Sequence, residues 1–412
     1  MKEMQIVIYA DCHENRRGYE GATLELPAAP YEIEDALQRA HVPEDSECRV
    51  RIGHEWPRFL WIELVKSQQF SGKKALEELN LLADAVSRMD EIQMGAFEGA
   101  IQLHLEETGQ EKITLKEMVN LAACLDDYEF HPGVTNDARL GEACMEGGML
   151  DLVERLPDEV AELLDPEKVG ASLRQSDRGV FTSAGYAYRG AVVERQEFYD
   201  GEHLPACGES HQGMLSLRIE KLDVPEGDDG VWLELPADEK ALRWALTSIG
   251  EESFDACQIT EAKSAVILLQ YQLAGGEDIG KLNTLAGRLR DLQQEAPDNL
   301  MLMKYKAVLE MEQYPDLDME LDIAANLDCY DYDPEVLSPD SYGEYALQSA
   351  GIDTSDPAFY RFDFQGYGER LMEKTGYEFT PYGAVSRNDR EFVHEYTEQE
   401  EAPGQGMAME QQ

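Results

Sequence analysis

The sequence predicts an α+β fold made of two tandem units, each with a small sheet-bearing part followed by helices. Three observations support this prediction: a pattern that recurs about 200 residues along the chain, alternating apolar residues where each copy begins, and helical spacing in the middle of each copy. The chain has 412 residues, of which 43% are hydrophobic, so it is long enough to bury two or more cores.

The recurring pattern consists of five blocks in the same order. The segment from Gly21 to Leu37 matches the segment from Gly230 to Leu246 at 8 of 17 positions. The other matched blocks, with the first copy named before the second, are 79–83 with 282–286, 120–130 with 322–332, 132–142 with 334–344, and 170–182 with 368–380. Chance can produce one such block, but it does not produce five in collinear order. The sequence therefore indicates a tandem duplication.

The duplication sets the expected domain boundaries. Repeat one covers residues 1–190 and repeat two covers residues 212–390. Residues 191–211 contain charged residues, Gly and Pro, which is typical of a linker. Residues 391–412 contain few large apolar side chains, and we expect them to form a disordered acidic tail.

Each copy is expected to open with strands. In repeat one, Met4–Tyr9 and Ala22–Leu26 alternate apolar and polar residues, as a strand with one buried face does. A short helix is expected after Pro27 or Pro30. Residues 48–52 and 59–65 are predicted to be further strands.

The middle of each copy is expected to be helical. Ser71 and Asp90 are candidate N-caps, and the helix after Asp90 is expected to end at Gly109. Thr114 to Glu117 forms a capping box, and Asp316 occupies the matching position in repeat two. The final third is expected to contain a short acidic helix and a strand-like segment at residues 180–188.

The signatures of common enzymes and metal sites are missing. The sequence contains no P-loop, no GxSxG, no HExxH and no paired Cys/His zinc pattern. Its seven cysteines are widely spaced without a CxxC pair, which fits a reduced cytoplasm better than a disulfide framework. The start of the chain is typical of a strand rather than a signal peptide, and no apolar run approaches the roughly 18 residues of a membrane span. We therefore expect a cytoplasmic protein without catalytic residues, cofactor, metal or membrane contact.

The charge is the most unusual property of the chain. There are 84 Asp and Glu residues against 35 Lys and Arg, a net charge of −49. Residues 1–190 carry 37 acids and 19 bases, and the remainder carries 47 and 16, so both copies are acidic. Such a balance repels nucleic acid and attracts basic protein surfaces. Because B-DNA carries one charge per about 1.7 Å, this net charge matches roughly 80 Å of duplex.

The acidic residues concentrate in a few stretches of each copy. Asp158, Glu162 and Asp165 are spaced to share one helical face, with neighbouring carboxylates about 6 Å apart, close to the spacing of phosphates. The candidate DNA-mimic surface consists of Asp126, Asp127, Glu129, Asp151, Glu154, Asp158, Glu159, Glu162, Asp165, Asp316, Asp318, Asp328, Asp331, Asp333 and Glu335. If these carboxylates stand in for phosphates, the partner is a DNA-binding protein, and the chain does not bind nucleic acid directly.

The ordered set of motifs resembles a known family, the ArdA-type antirestriction proteins of conjugative elements and phages. In repeat one the resemblance is carried by GATLELP, LNLLA, NLAACLDDYEF, LPDEVAELLDPEKVG and VFTSAGYAY, and it covers nearly the whole repeat. Repeat two is less similar, through GVWLELP, LNTLA, DIAANLDCYDY and YEFTPYG. No single motif is specific, but the ordered set points to this family.

The resemblance implies an elongated, modular α+β protein that mimics bent B-form DNA and blocks type I restriction-modification enzymes by occupying their DNA groove. It implies no catalytic residues. Members of this family typically have one repeat and pair as dimers, whereas this chain has two. It could therefore act as an intrachain pseudo-dimer or form a homodimer, or repeat two could have a partner of its own.

Three alternatives remain open at the level of the sequence. A DNA mimic could instead be directed at a CRISPR effector, a repressor or a nucleoid protein, because any basic groove attracts the same charge. The chain could also be an ordinary acidic protein of a salt-adapted organism, which its 14 Lys against 21 Arg would fit. An enzyme is the third alternative, and the missing signatures disfavour it.

Overall fold

The computed structural model describes residues 4–43, 46–67, 70–146, 164–190, 197–205, 211, 213–222, 230–267, 269, 273, 276–313 and 315–397. Its helices and small antiparallel sheets make an α+β fold. The chain forms two compact units. The first contains Met1–Ile8, Thr23–Ala29 and Glu47–Gly208, and the second contains Tyr9–Ala22, Pro30–Ser46 and Glu209–Gln412. Two segments of the predicted repeat one thus belong to the second unit.

The first unit begins with a sheet whose strands have the order β2-β1-β3-β4. These strands are β1 Met4–Ala10, β2 Ala22–Leu26, β3 Cys48–Ile52 and β4 Phe70–Ser71. Buried residues alternate with half-buried ones in β1 and with exposed ones in β2, because successive strand side chains point to opposite faces. Helix α1, Pro30–Arg39, lies between β2 and β3 in the chain but belongs to the second unit.

Helices and a second sheet complete the first unit. The helices are α2 Arg58–Ser67, α3 Gly72–Ser87, α4 Glu91–Thr108, α5 Leu115–Ala123, α6 Asp137–Glu146 and α7 Pro166–Asp177. The strands are β5 Tyr128–Pro132, β6 Val180–Phe181 and β7 Gly185–Arg189, in the order β5-β7-β6. Helix α4 packs on this sheet, and α6 packs against α7.

The second unit has the same kinds of element. Its strands are β8 Leu215–Lys221, β9 Val231–Leu235, β10 Cys257–Ser264, β11 Tyr330–Asp333, β12 Glu378–Thr380 and β13 Gly383–Arg387, in sheets ordered β10-β8-β9 and β11-β13-β12. Its helices after α1 are α8 Glu239–Ile249, α9 Ile279–Glu295, α10 Leu300–Met311, α11 Leu317–Ala325, α12 Pro339–Ser349 and α13 Phe364–Thr375. A single apolar core joins the first of these sheets to α9, α10 and α11.

Asparagines at matched positions of the two predicted repeats make the same pair of backbone hydrogen bonds. The Asn80 side chain accepts a hydrogen bond from the backbone N–H of Ala28 at 2.7 Å and donates to its carbonyl at 2.9 Å. Asn283 makes the same two bonds with Ala237, at 2.7 and 3.1 Å. Each asparagine therefore fixes the turn that follows the second strand of its repeat. The tandem duplication remains a prediction, and such recurrences are what it would produce.

Matched glycines allow close contact between helices. A Cβ atom on Gly170 would lie 1.8 Å from the carbonyl oxygen of Asp137, so α7 can approach α6 only without a side chain there. A Cβ atom on Gly368 would lie 1.9 Å from the carbonyl oxygen of Pro339, where α13 meets α12. Both helix pairs thus depend on a glycine, and the two glycines lie at matched positions of the predicted repeats.

Three predicted helix N-caps agree with the structure, one predicted N-cap makes no capping bond, and one predicted strand is a helix. Capping boxes form at Asp90 and Thr114, and Asp316 caps α11 by accepting from the Met319 N–H. Ser71 precedes α3, but its side chain makes no capping hydrogen bond. The strand predicted at residues 59–65 was wrong, because Arg58–Ser67 is helix α2. Its buried residues lie four apart, at Leu60 and Leu64, which is a helical rather than a strand spacing.

Both repeats are followed by a segment that folds back onto the unit. Tyr199 is fully buried, and its backbone exchanges two hydrogen bonds with the Asn120 side chain, at 2.8 and 2.9 Å. At the matching position, Asp322 accepts from the N–H groups of Glu395, Tyr396 and Thr397. The described residues 197–201 and 391–397 are therefore packed parts of the two units rather than free linker or tail. Residues 398–412 lie outside the described residues.

Candidate acidic binding surfaces

The first candidate surface lies where helix α5 gives way to an edge strand. The chain leaves α5 through a 3-10 turn at Leu125–Asp127 and enters β5, the outer strand of the sheet β5-β7-β6. Asp126 and Glu129 are exposed, and Asp127 is half-buried. We call Asp126, Asp127 and Glu129 the first acidic edge. The carboxylates of Asp126 and Glu129 are therefore the ones most open to solvent.

The second candidate surface has the same construction. After α11 a 3-10 turn at Leu327–Cys329 leads into β11, the outer strand of the sheet β11-β13-β12. Asp328, Asp331 and Glu335 are exposed, and Asp333 is half-buried. We call these four residues the second acidic edge. Charged residues on an outer strand also prevent unwanted strand pairing, so such an edge has a structural use besides any binding role.

An arginine supports each acidic edge from the neighbouring strand. In the first unit Arg189 pairs with Tyr128 across the strands and contacts the Glu107 carboxylate at 3.0 Å and the Tyr128 hydroxyl at 3.0 Å. The guanidinium carbon lies 5.4 Å from the centre of the tyrosine ring. Burial raises the pKa of Tyr128 above its ordinary value, so the hydroxyl stays protonated.

The second unit contains a related contact between an arginine, a tyrosine and a glutamate, with a different hydrogen-bond pattern. Arg387 pairs with Tyr330 across the strands and lies 5.7 Å from the centre of its ring. The Tyr330 hydroxyl donates to the Glu312 carboxylate at 2.9 Å, and Arg387 lies 3.7 Å from that carboxylate. In both units the arginine charge is thus shared between a tyrosine and a glutamate outside the acidic edge.

Several other predicted surface carboxylates have local structural partners. Asp165 and Asp316 are N-caps, and Asp165 also pairs with Lys168 at 3.2 Å. Asp318 pairs with Lys281. These contacts explain part of the acidic content by helix stability alone. Such carboxylates remain accessible, but part of their charge is offset by a neighbour.

The second acidic edge is also partly paired. Asp328 contacts Arg390 at 2.9 Å, and Glu335 contacts Arg16 at 3.1 Å. Both partners in each pair are at least 41% exposed, so these pairs contribute little to stability and exchange readily with other cations.

Five predicted surface residues lie outside the described residues: Asp151, Glu154, Asp158, Glu159 and Glu162. The predicted acidic helix face built on Asp158, Glu162 and Asp165 is therefore represented only by Asp165, which is exposed at the start of α7.

Two acidic residues of α11 have interior positions. Glu320 is 3% exposed and Asp322 is fully buried. Asp322 holds the 395–397 segment through the hydrogen bonds given above, and these bonds keep its pKa below the ordinary value although burial acts in the opposite direction. A sequence signal for this role exists, since Asp322 matches Asn120, another polar residue next to apolar helix positions.

The second unit contains a buried cluster of charged residues that the sequence pattern did not predict. The Lys306 ammonium lies 2.6 Å from the Asp35 carboxylate and 2.7 Å from the Gln38 side-chain oxygen. Arg39 and the Tyr382 hydroxyl each donate to Asp35 at 2.8 Å. Burial would raise the pKa of Asp35, but Lys306 and Arg39 bring it below its ordinary value, so the carboxylate is ionised at neutral pH. The cluster attaches α1 to the rest of the second unit.

Among the described residues, no group of three or more His, Cys, Asp or Glu side chains could hold a metal ion. None of the helices in the same ranges is long and apolar enough to cross a membrane.

Comparisons with known proteins give limited information. No family model matches the chain. It is 30% identical over 196 residues to the alanine–tRNA ligases of three Mycobacterium sp. strains, KMS, JLS and MCS. The aligned region covers 44% of this chain and 21% of each ligase, so the chain spans only about a fifth of the length of the curated relatives it matches.

Proposed function

We propose that this protein is a DNA mimic that inhibits a type I restriction-modification enzyme by occupying its DNA-binding groove. The observation that carries the proposal is the surplus of 49 negative charges, shared by two folded halves instead of being confined to a tail. Self-repulsion among so many acids destabilises a compact chain, so a surplus of this size calls for a compensating use. A basic groove that normally holds phosphates would provide it.

The two acidic edges supply a surface for this role. Each unit presents exposed carboxylates in the turn before an outer strand and on that strand, and in the second unit also just after it. In this account the protein works in the cytoplasm by binding alone, without catalysis or cofactor, and it does not bind DNA itself. The choice of a type I enzyme as the target follows from the resemblance of the sequence to the ArdA-type family. The basic groove of a CRISPR effector, a repressor or a nucleoid protein would attract the same negative charge.

The similarity to alanine–tRNA ligases does not favour action on tRNA. A protein that holds tRNA must attract a polyanion, and a net charge of −49 repels one. The aligned fifth of each ligase supports at most a shared piece of fold, and we propose no aminoacylation for this chain.

The direct test is a plasmid restriction assay in a host that carries a type I restriction-modification system. Expression of the protein should raise the transformation efficiency of unmodified plasmid towards that of a host without the system. An isogenic host lacking the enzyme is the control for general effects on transformation. Unchanged restriction across several type I families would contradict the proposal.

The acidic edges should carry the inhibition jointly. Replacing Asp126, Glu129, Asp328 and Asp331 with their amides should weaken binding to the enzyme by on the order of tenfold, because each exposed carboxylate contributes little alone but four act in the same direction. Binding is measured by titrating the purified enzyme. The matched control replaces four exposed acids outside the edges, Glu77, Glu142, Asp291 and Glu373, and changes the net charge equally. Equal weakening by both variants would show that the edges have no special role.

Binding should also depend on salt. Carboxylates and phosphates compete for the same Lys and Arg side chains, and salt screens such contacts. The dissociation constant should rise steadily as sodium chloride increases from about 50 to about 300 mM, with a shallower slope than for duplex DNA, since the protein releases fewer condensed counterions. The measurement is a titration series at fixed pH. A dissociation constant that does not change with salt would indicate an apolar interface instead.

A further inference from the structure

An open cleft of about 590 Å³ lies within the second unit, and Asp333 and Glu335 of the second acidic edge are among its lining residues. One wall is the loop at residues 15–17, and the other is a face of α12 together with the turn after β11. The α12 residues that line the cleft include Ser341, Tyr345 and Gln348, which lie on one face because their spacing is close to one turn. The cleft is therefore built by regular structure on one side.

The charges that line the cleft favour a cation as its occupant. Arg16 and Arg17 each contact a carboxylate already, Glu335 at 3.1 Å and Glu344 at 3.4 Å. Asp333 adds a third carboxylate to the lining. An anion would have to displace carboxylates from both arginines, whereas a second cation finds one acid in excess and an exposed, exchangeable pair at Arg16 and Glu335.

The lining also offers an aromatic ring to an incoming cation. Tyr345 is 67% exposed and lies in the middle of α12, among the residues that line the cleft. A ring in this position can hold a guanidinium or ammonium group over its face, and carboxylates beside it add attraction. Arg17 makes a contact of this kind with a different ring outside the cleft lining, since its guanidinium carbon lies 4.0 Å from the centre of the Phe364 ring.

We propose that this cleft receives an arginine or lysine side chain of the target protein, which takes the place of Arg16 at the Glu335 carboxylate and packs against Tyr345. This inference rests on the proposed function, because it names the group of the target that the second acidic edge holds. Arg16 then occupies the site in the free protein and is released when the target binds.

The test uses a tetra-arginine peptide amide as the probe and the full-length protein. Tyr345→Ala should weaken peptide binding roughly fivefold at low salt, since the ring contact with the cation is lost. The matched control is Tyr360→Ala, which removes another exposed tyrosine of the same unit, 88% exposed, that does not line the cleft. Neither substitution changes the charge. Equal binding by the two variants would overturn the proposal.

A second pair of variants tests the exchange with Arg16. Arg16→Ala should tighten peptide binding roughly fivefold, because the Glu335 carboxylate becomes available. Arg243→Ala removes another exposed, paired arginine and changes the net charge equally, so it should tighten binding by less than about twofold. Equal tightening by both variants would overturn the exchange with Arg16.

The same four variants, titrated against a purified type I enzyme, separate this inference from the proposed function. If the peptide results hold and the enzyme is not bound, the proposed function fails while the cation site stands. If the enzyme is bound and Tyr345→Ala behaves like Tyr360→Ala with both ligands, the cation site is wrong and the proposed function stands.

Discussion

Replacing Lys306 with Met should destabilise the second unit by about 3–5 kcal/mol, because it leaves the Asp35 carboxylate buried without its nearest cation. Both side chains are 2% exposed, so water cannot replace the lost partner without local opening. The measurement is urea unfolding of the full chain, followed by circular dichroism. Lys304→Met is the matched control on the same helix, since Lys304 is half-buried, and it should cost less than about 1 kcal/mol.

A double variant separates the ion pair from simple packing. Replacing Asp35 with Asn in the Lys306→Met background should recover part of the lost stability, because the buried carboxylate that has lost Lys306 is then neutral. If Lys306→Met costs no more than Lys304→Met, α1 is not held by this cluster. A chain cut at residue 190 lacks Lys306, so Asp35 of α1 loses its partner. Such a truncation therefore removes repeat two and also destabilises the attachment of α1.

At pH values above about 8, replacing Glu320 with Gln should raise the free energy of unfolding by on the order of 3 kcal/mol. Burial raises the pKa of Glu320 from 4.5 to about 8, and the Asp316 carboxylate adds to the rise. Between these two pH values the folded state keeps a proton that the unfolded state has released. Stability of the natural chain therefore falls as pH rises from 4.5 to 8, and Gln removes this loss.

The comparison of melting temperatures at two pH values tests this prediction. The Glu320→Gln variant should melt well above the natural chain at pH 8.5 and close to it at pH 5, where Glu320 is protonated in the folded state. Glu373→Gln, an exposed acid on α13, should show no such pH-dependent difference. A constant difference between natural chain and Glu320→Gln at both pH values would mean that Glu320 does not titrate in the interior. Met occupies the matching position 118 of repeat one, which agrees with an interior site.

Local features of the fold could be predicted from the sequence because they depend on neighbouring residues. The capping boxes at Asp90 and Thr114 need only the residue three positions further on. Alternation in β1 and β2 is likewise a local pattern. The α2 helix was missed because its apolar and β-branched residues suit a strand equally well, and only the burial of Leu60 and Leu64 distinguishes the two.

Long-range contacts could not be predicted in the same way. Lys306 and Asp35 are 271 residues apart, and nothing in the periodicity of either helix shows that they meet. Charge counts also cannot tell which acids are caps, which are paired and which are buried. Asp165 and Asp322 illustrate this, since one caps α7 and the other binds three backbone N–H groups inside the second unit. The matching of Asp322 to Asn120 could have indicated its role.

The central claim is that the protein takes the place of DNA, and one competition measurement tests it most directly. A purified type I restriction-modification enzyme is bound to a fluorescent duplex that carries its recognition sequence, and the protein is added at fixed salt while anisotropy is recorded. We expect full displacement of the duplex, with an apparent inhibition constant that rises linearly with the duplex concentration. A ternary complex, in which the enzyme holds the protein and the duplex together, would contradict it, as would an unchanged anisotropy.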